Sequence, residues 1–241
     1  MISYFKKEYN IDKIGDILWS HAVNSREKLS RYINNPLAMI LESDIRIFSE
    51  GEIICAHPPQ TDSDLTAEEL IRKLKSSRQG LKLDLKDPEV VIPILKILDE
   101  IKLSQPVIIN GDILQGNGAS SSKFSPKDFI ALCRKFYPDG ILSLGWTTVS
   151  DPNLPYTFDN VSEMLKLCNG LSQVIFSIRA CLLLASWQAL KPLMEKKDFT
   201  LSIWNNEPID TELKNWIKNN TDPKRTFYDF INEDKDPLRL W

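Results

Sequence analysis

The sequence is poor in the features that carry a chain into a membrane or onto nucleic acid. Its longest apolar stretch, around Ala180 to Leu190, contains Gln188 and is closed by Lys191, too short to span a bilayer. Residues Met1 to Asn10 include Lys6, Lys7 and Glu8 and no apolar h-region, so no signal peptide is expected and a cytoplasmic location is. On that expectation the glycosylation sequons at Asn160-Val-Ser and Asn219-Asn-Thr are chance matches. The net charge is −3, with no basic stripe for nucleic acid and no polybasic membrane patch. Cys55, Cys133, Cys168 and Cys181 are scattered without a C-x-x-C pair, which reads as reduced, mostly buried thiols. No repeat, low-complexity tract or Pro/Gly/Ser-rich linker divides the chain. The 241 residues therefore read as one domain, 1–241.

What is present is alternation. Short apolar runs occupy Asp16–His21, Ala38–Ile47, Leu81–Lys86, Pro106–Leu114, Gly140–Thr147, Gln173–Ala180 and Phe199–Asn205, with a weaker eighth at Arg225–Ile231. Segments of helical period separate them: Ser25–Ile33, Thr66–Ser77, Pro88–Ile101, Ser125–Phe136, Phe158–Cys168, Cys181–Lys196 and Ile209–Asn219. Thr66 with Glu69 has capping-box spacing, and Asp87-Pro88 and Ser125-Pro126 place a cap before a proline. Strands alternating with helices make a parallel sheet, and eight such units favour closure. The predicted class is α/β, a (β/α)8 TIM barrel. One interval departs from the pattern: Asp44 to Pro58 has no room for a helix. Ile45 to Phe48, a turn at Glu50-Gly51 and Ile53 to His57 predict a β-hairpin extension after the second strand, bringing His57 back over the rim.

The chemistry is written at the C-terminal ends of the strands. Glu42 and Asp44, Asp84 and Lys86, Asn110 and Asp112, Ser143 and Gly145, Ser177 and Arg179, and Ser202 and Trp204 are pairs two residues apart. Each pair shares one strand face. In a sheet covered by helices no face is solvated, so this polar face belongs to the barrel interior at its top, where such folds place their sites. Only two histidines exist, and both are expected there: His21 ends the first strand and His57 ends the hairpin. Imidazole exchanges protons near neutrality, so the pair is assigned to acid–base work, His21 as base and His57 as acid. Glu42, Asp44 and Asp84 form a hard-oxygen cluster suited to Mg2+ or Ca2+; the alternative is a metal-free salt-bridge network with Lys82, Lys86 and Arg179. Lys86 and Arg179 are candidates to hold substrate oxygens, and Asn110 and Asp112 to orient hydroxyls. Trp146 and Trp204 offer a stacking wall, with core packing as the alternative for both.

These residues stand in strings that resemble the menorin family: Trp19-Ser-His-Ala-Val-Asn-Ser, Leu41-Glu-Ser-Asp, Ala56-His-Pro-Pro-Gln-Thr-Asp-Ser-Asp, Gly80-Leu-Lys-Leu-Asp-Leu-Lys, Leu142-Ser-Leu-Gly-Trp-Thr-Thr and Phe176-Ser-Ile-Arg-Ala. The likeness runs from about Gly15 to Trp204. That family is similar in turn to the phospholipase-C-like and glycerophosphodiester phosphodiesterases, TIM barrels with a first-strand histidine, an E-x-D pair, a second histidine and an acid-x-lysine motif. The resemblance implies metal-dependent cleavage, by hydrolysis or a lyase route, of a small-molecule or lipid-derived phosphodiester. Two departures stand out. Ala22 follows the first histidine where the glycerophosphodiester enzymes usually carry a phosphate-binding arginine, leaving that role to Arg179 or Lys86. Only the loop Pro58–Leu65, with Asp62 and Asp64, replaces their long insertion. Because menorin acts as a neuronal patterning and adhesion cue, a non-catalytic binding protein on a phosphodiesterase-like barrel is the alternative reading. A Schiff-base aldolase using Lys86 is a third.

Overall fold

The computed structural model describes residues 1–48 and 51–230. It begins with α1 (Ile2–Tyr9) and a single 3-10 turn at Ile14–Asp16 before β1 (Trp19–Ser20). Then follow α2 (Arg26–Tyr32), β2 (Ile40–Ile47), β3 (Ile53–Cys55), α3 (Ala67–Leu74), β4 (Gly80–Leu85) and α4 (Val91–Ile101). β5 (Val107–Gln115), α5 (Pro126–Phe136), β6 (Ile141–Thr147), α6 (Phe158–Leu167) and β7 (Val174–Arg179) continue the alternation. α7 (Leu183–Leu190), β8 (Thr200–Trp204), α8 (Thr211–Asn220) and β9 (Thr226–Asp229) complete it.

The strands form one sheet in the order β1-β2-β4-β5-β6-β7-β8-β9, every neighbouring pair parallel. This is the eight-stranded parallel barrel with alternating helices that the sequence predicts. β3 lies off the ring and pairs antiparallel with the end of β2, Ile45 facing Cys55 and Ile47 facing Ile53. Glu50 in the predicted turn and Ile231 in the weak last run lie outside the described residues. Among the described residues no helix is long and apolar enough to cross a membrane.

Local signals set the helix starts. Ser25 and Thr66 accept from the N–H groups of Lys28 and Glu69, as N-caps do. The second half of the Thr66 box is missing because the Glu69 carboxylate turns to Arg26 instead. Thr157 and Asn160 make a full capping box for α6. Asp87 does not cap; it accepts from the N–H of Ile47 and pairs with Arg46 and Lys123.

Strand alternation separates two cores. Outward side chains such as Leu41, Leu83, Ile109, Leu144, Phe176 and Ile203 are buried under the helices. The lower interior holds Trp19, Ile40, Ile108, Ile175 and Phe227, and α1 inserts Phe5 into this group, with Tyr4 and Tyr9 beside it. The first strand and the last have no ladder between them among the described residues. That seam is closed by the Trp19 and Phe227 rings, edge to face at 5.4 Å, and by the Gly15 N–H donating to the Pro223 carbonyl at 2.8 Å. Gly15 is required there: a Cβ would lie 2.7 Å from the Tyr228 ring.

Candidate active site

At the C-terminal end of the barrel the inward side chains change from apolar to charged. Register places Glu42 beside Lys82, Asp44 beside Asp84, Asp84 beside Asn110 and Asn110 beside Ser143. Ligand oxygens of Glu42, Asp44 and Asp84 lie within 4.8 Å of one another. Lys86 Nζ bridges two of them, 3.0 Å from Asp44 Oδ1 and 2.6 Å from Asp84 Oδ2. The other oxygen of Asp84 accepts from Asn110 Nδ2 at 2.8 Å, and Ser143 donates to Asn110 Oδ1 at 2.6 Å. Asn24 steadies Asp44 twice: its Nδ2 donates to the carboxylate at 2.8 Å, and its Oδ1 accepts from the Asp44 N–H at 3.0 Å. Ala22, in the left-handed region at φ 53°, donates its N–H to Glu42 Oε2 at 2.7 Å. A non-glycine residue seldom rests there, so this bond and its setting hold it.

A cavity of about 390 Å³ opens above these groups. His21, Asp44, His57, Lys82, Asp84, Lys86, Asn110, Asp112, Ser177, Arg179, Trp204 and Asp229 line it, with Thr147, Thr148 and Asn206. Both histidines therefore face one cup. His21 Nδ1 lies 3.3 Å from Asp229 Oδ1 and 3.5 Å from Glu42 Oε2. His57 is exposed, and its Nδ1 sits 2.6 Å from the Pro58 carbonyl. A carbonyl only accepts, so that nitrogen carries the proton.

The electrostatics are those of an acidic cup short of counter-charge. Burial alone would discharge His21, but Glu42 and Asp229 overcome it and raise its pKa to about 9. Burial would likewise raise Asp229, yet His21 and Lys82 hold it down at about 2. Burial works against the charge of Lys86 too, but Asp84 and Asp44 keep its ammonium well above the usual lysine range. Two carboxyls fare differently. Burial pushes Glu42 up to about 7 against the pull of His21, and burial with Asp84 pushes Asp112 up to about 7. Five carboxyls (Glu42, Asp44, Asp84, Asp112 and Asp229) thus share three nearby cations, His21, Lys82 and Lys86, and Asp112 has no ion pair among the described residues. Glu42 and Asp112 accordingly hold protons up to near neutrality; with all five ionised the shortfall would be two charges. A hard divalent cation on Glu42, Asp44 and Asp84 would supply them, and its all-oxygen ligand set suits Mg2+ or Ca2+. The residues fit the ion.

A model of the menorin N-terminal domain matches residues 13–235. The chain belongs to the menorin family. Human Protein FAM151B is 35 % identical over 246 residues, spanning 96 % of this chain and 89 % of the human one. Among solved structures, a glycerophosphodiester phosphodiesterase from Agrobacterium tumefaciens str. C58 superposes with a TM-score of 0.55 at 10 % identity, covering 92 % of this chain and 97 % of that one. A putative glycerophosphodiester phosphodiesterase from Galdieria sulphuraria gives 0.54 at 12 % identity, covering 90 % and 94 %. At such identities the likeness is one of fold: this menorin-family chain has a phosphodiesterase-like barrel.

Of the residues singled out in the sequence, His21, His57, Asp44, Asp84, Lys86, Asn110, Asp112, Arg179 and Trp204 line the cup, and Glu42 lies buried directly beneath it. Trp146 does not belong to the site. It is buried outside the barrel against Tyr156, ring centroids 5.2 Å apart, among residues under the helices. Parity is the reason: Ser143 and Gly145 point inward, so the next residue points out. Gly145 is needed inside, because a Cβ would collide with the Asp112 carboxylate. Sequence reasoning passed over Asp229 and Asn24 and treated Lys82 only as a salt-bridge option. Asp229 stands two residues after Phe227, and Lys82 two before Asp84. The i,i+2 rule that found the other pairs applies to both. Asn24 carries no such signal, since its partner is reached only through the turn after β1.

Proposed function

We propose that this menorin-family chain is a divalent-metal-dependent phosphodiesterase. The observation that carries the reading is one cavity faced by two imidazoles, an acidic triad short of counter-charge and a lysine bridging two of its members. When bound at Glu42, Asp44 and Asp84, the ion supplies positive charge to a phosphate oxygen. Lys86 holds a second oxygen of the same group, as its ammonium already lies between two carboxylates. Asn110 and Asn24 keep Asp84 and Asp44 in place.

The acid and base are assigned in the reverse of the order read from the sequence. What supports this is that the His57 proton is committed to the Pro58 carbonyl through Nδ1, leaving the lone pair on the other ring nitrogen. His57 then takes the proton from water or from a substrate hydroxyl. His21, with the Asp229 carboxylate beside its Nδ1, is set to carry a proton and give it to the leaving oxygen. Asp229 plays the orienting part a carboxylate commonly plays behind a reactive histidine. The Schiff-base alternative fares poorly, because an ammonium paired with two carboxylates is not a nucleophile.

The test is a panel of soluble phosphodiesters followed by phosphorus NMR, with chelator and then with Mg2+ or Ca2+ restored. At least one member is expected to be cleaved in an ion-dependent manner. A folded chain that binds the ion and cleaves none supports the non-catalytic binding role instead.

A further inference from the structure

The cup has two unlike halves. Every acid and both histidines lie on the side built from β9, β1, β2, the β3 arm, β4 and β5. The wall formed by β6, β7, β8 and the loops after them contributes Thr147, Thr148, Ser177, Trp204, Asn206 and a single charge, Arg179. In strand order β7 stands four places from β2 in a ring of eight, on the opposite wall from Glu42 and Asp44.

Arg179 is only 7 % exposed, yet among the described residues no carboxylate pairs with it. Its guanidinium is held by neutral groups: Nη2 donates to Ser150 Oγ at 2.6 Å and to Asn206 Oδ1 at 2.8 Å, and Nη1 reaches Thr148 Oγ1 at 3.5 Å. The Trp204 ring lies 5.3 Å away and supports its face. Three of the five N–H groups are thereby used among the described residues. A buried cation kept by neutral partners and aimed into a cavity is an anion receptor in waiting, and the planar fork of arginine suits phosphate and carboxylate. The remaining lining of this wall is hydroxyl, amide and one aromatic ring, with no aliphatic side chain.

We infer that the substrate is a water-soluble phosphodiester whose alcohol portion bears a second anionic group, received by Arg179 across the cup from the scissile phosphate. This rests on the phosphodiesterase reading and names its substrate class. An acyl chain would find no aliphatic side chain on this wall and one aromatic ring already lying against Arg179, whereas a hydroxylated group would meet the side chains of Thr147, Thr148, Ser177 and Asn206.

Matched pairs test it. Glycerophosphoinositol and its 4-phosphate differ by one phosphate; glycerophosphoethanolamine and glycerophosphoserine differ by one carboxylate. With the ion-loaded full chain, kcat/KM is expected to favour the anion-bearing member of at least one pair by tenfold or more, and which pair tells phosphate from carboxylate. Arg179→Gln should bring that ratio near unity. Arg179→Lys, which keeps the charge but not the fork, should restore part of it. Because the ratio is taken within one preparation, partial misfolding of a variant does not move it. Turnover with equal kcat/KM for both members of both pairs overturns the inference and leaves the phosphodiesterase reading standing. So does a variant that loses equally on both members, which puts Arg179 on the scissile phosphate. If nothing is turned over, calorimetric binding of the same pairs decides. Tighter binding of the anionic member, lost in Arg179→Gln, upholds the receptor and removes the enzyme; equal binding removes both.

Discussion

The floor and the cup of this barrel are built from the same strands, two residues apart, and differ in almost everything else. Trp19 is followed inward by His21, Ile40 by Glu42 and Asp44, Ile108 by Asn110 and Asp112, Ile175 by Ser177 and Arg179, Phe227 by Asp229. Below, apolar side chains pack among themselves and against Phe5 of α1. Above, carboxyls crowd together and two of them are driven toward neutrality by burial. Such a cup does not hold itself up; like charges in a poorly solvated space repel. The floor fixes the strand spacing, and the cup inherits its geometry from it.

If this division is right, the two levels should fail in different ways. The largest effect is expected at the cup. Asp84→Ala or His57→Ala should lower kcat/KM on any cleaved phosphodiester by roughly 10²- to 10⁴-fold, while the His57 variant keeps the parent melting temperature, its ring being exposed. Wild-type turnover in either variant would break the proposed chemistry. Phe5→Ala should do the opposite. Removing a fully buried ring costs about 3–5 kcal/mol of stability by denaturant titration, and turnover per folded molecule is retained below the melting point. Asn24→Ala is expected to weaken Mg2+ or Ca2+ binding by roughly 10- to 100-fold in a calorimeter, since Asp44 loses two of its bonds to Asn24. Unchanged affinity would mean that Asn24 serves the loop rather than the ligand.

The smallest effect, and the most diagnostic of the cup, is on pH and stability in the presence of chelator. Glu42 and Asp112 bind protons more tightly folded than unfolded, so the stability they give at low pH is lost as pH rises from their ordinary 4.5 and 3.8 through about 7. The His21 contribution is complete below its ordinary 6.5 and is lost as pH rises through about 9. Asp229 runs the other way, its contribution present above its ordinary 3.8 and lost as pH falls through about 2. The melting temperature of the metal-free chain should therefore decline between about pH 5 and pH 9. Adding the ion should flatten that decline on its acidic side, because Glu42 is then neutralised. A metal-free profile that rises over the same interval would contradict the charge arrangement described above.

Much of this could be read from the sequence because the signal repeats. Pairs such as Glu42 and Asp44, or Asp84 and Lys86, recur on successive strands, and a period of two in a helix-covered sheet leaves the polar face one place to go. What escaped was unrepeated or non-local. α1 was missed because its inward residue, Phe5, makes sense only once the barrel floor exists to receive it. Trp146 takes the core-packing alternative, because its position has outward parity on its strand. Asp229 was hidden in the weakest strand, whose first neighbour in space is the other end of the chain. The proposed acid–base order rests on the Pro58 carbonyl and the Asp229 carboxylate, partners that no spacing rule assigns.

The seam between the first and last strands has a consequence for how the cup is assembled. His21 follows the first strand and Asp229 ends the last, yet they meet across a gap that has no backbone ladder among the described residues. A chain whose last strand has not docked lacks the carboxylate that lies beside its own imidazole, and contacts so distant in sequence are among the slowest to form. Closing the ring is thus what completes the cup: until the last strand docks beside the first, His21 has no Asp229 carboxylate within reach.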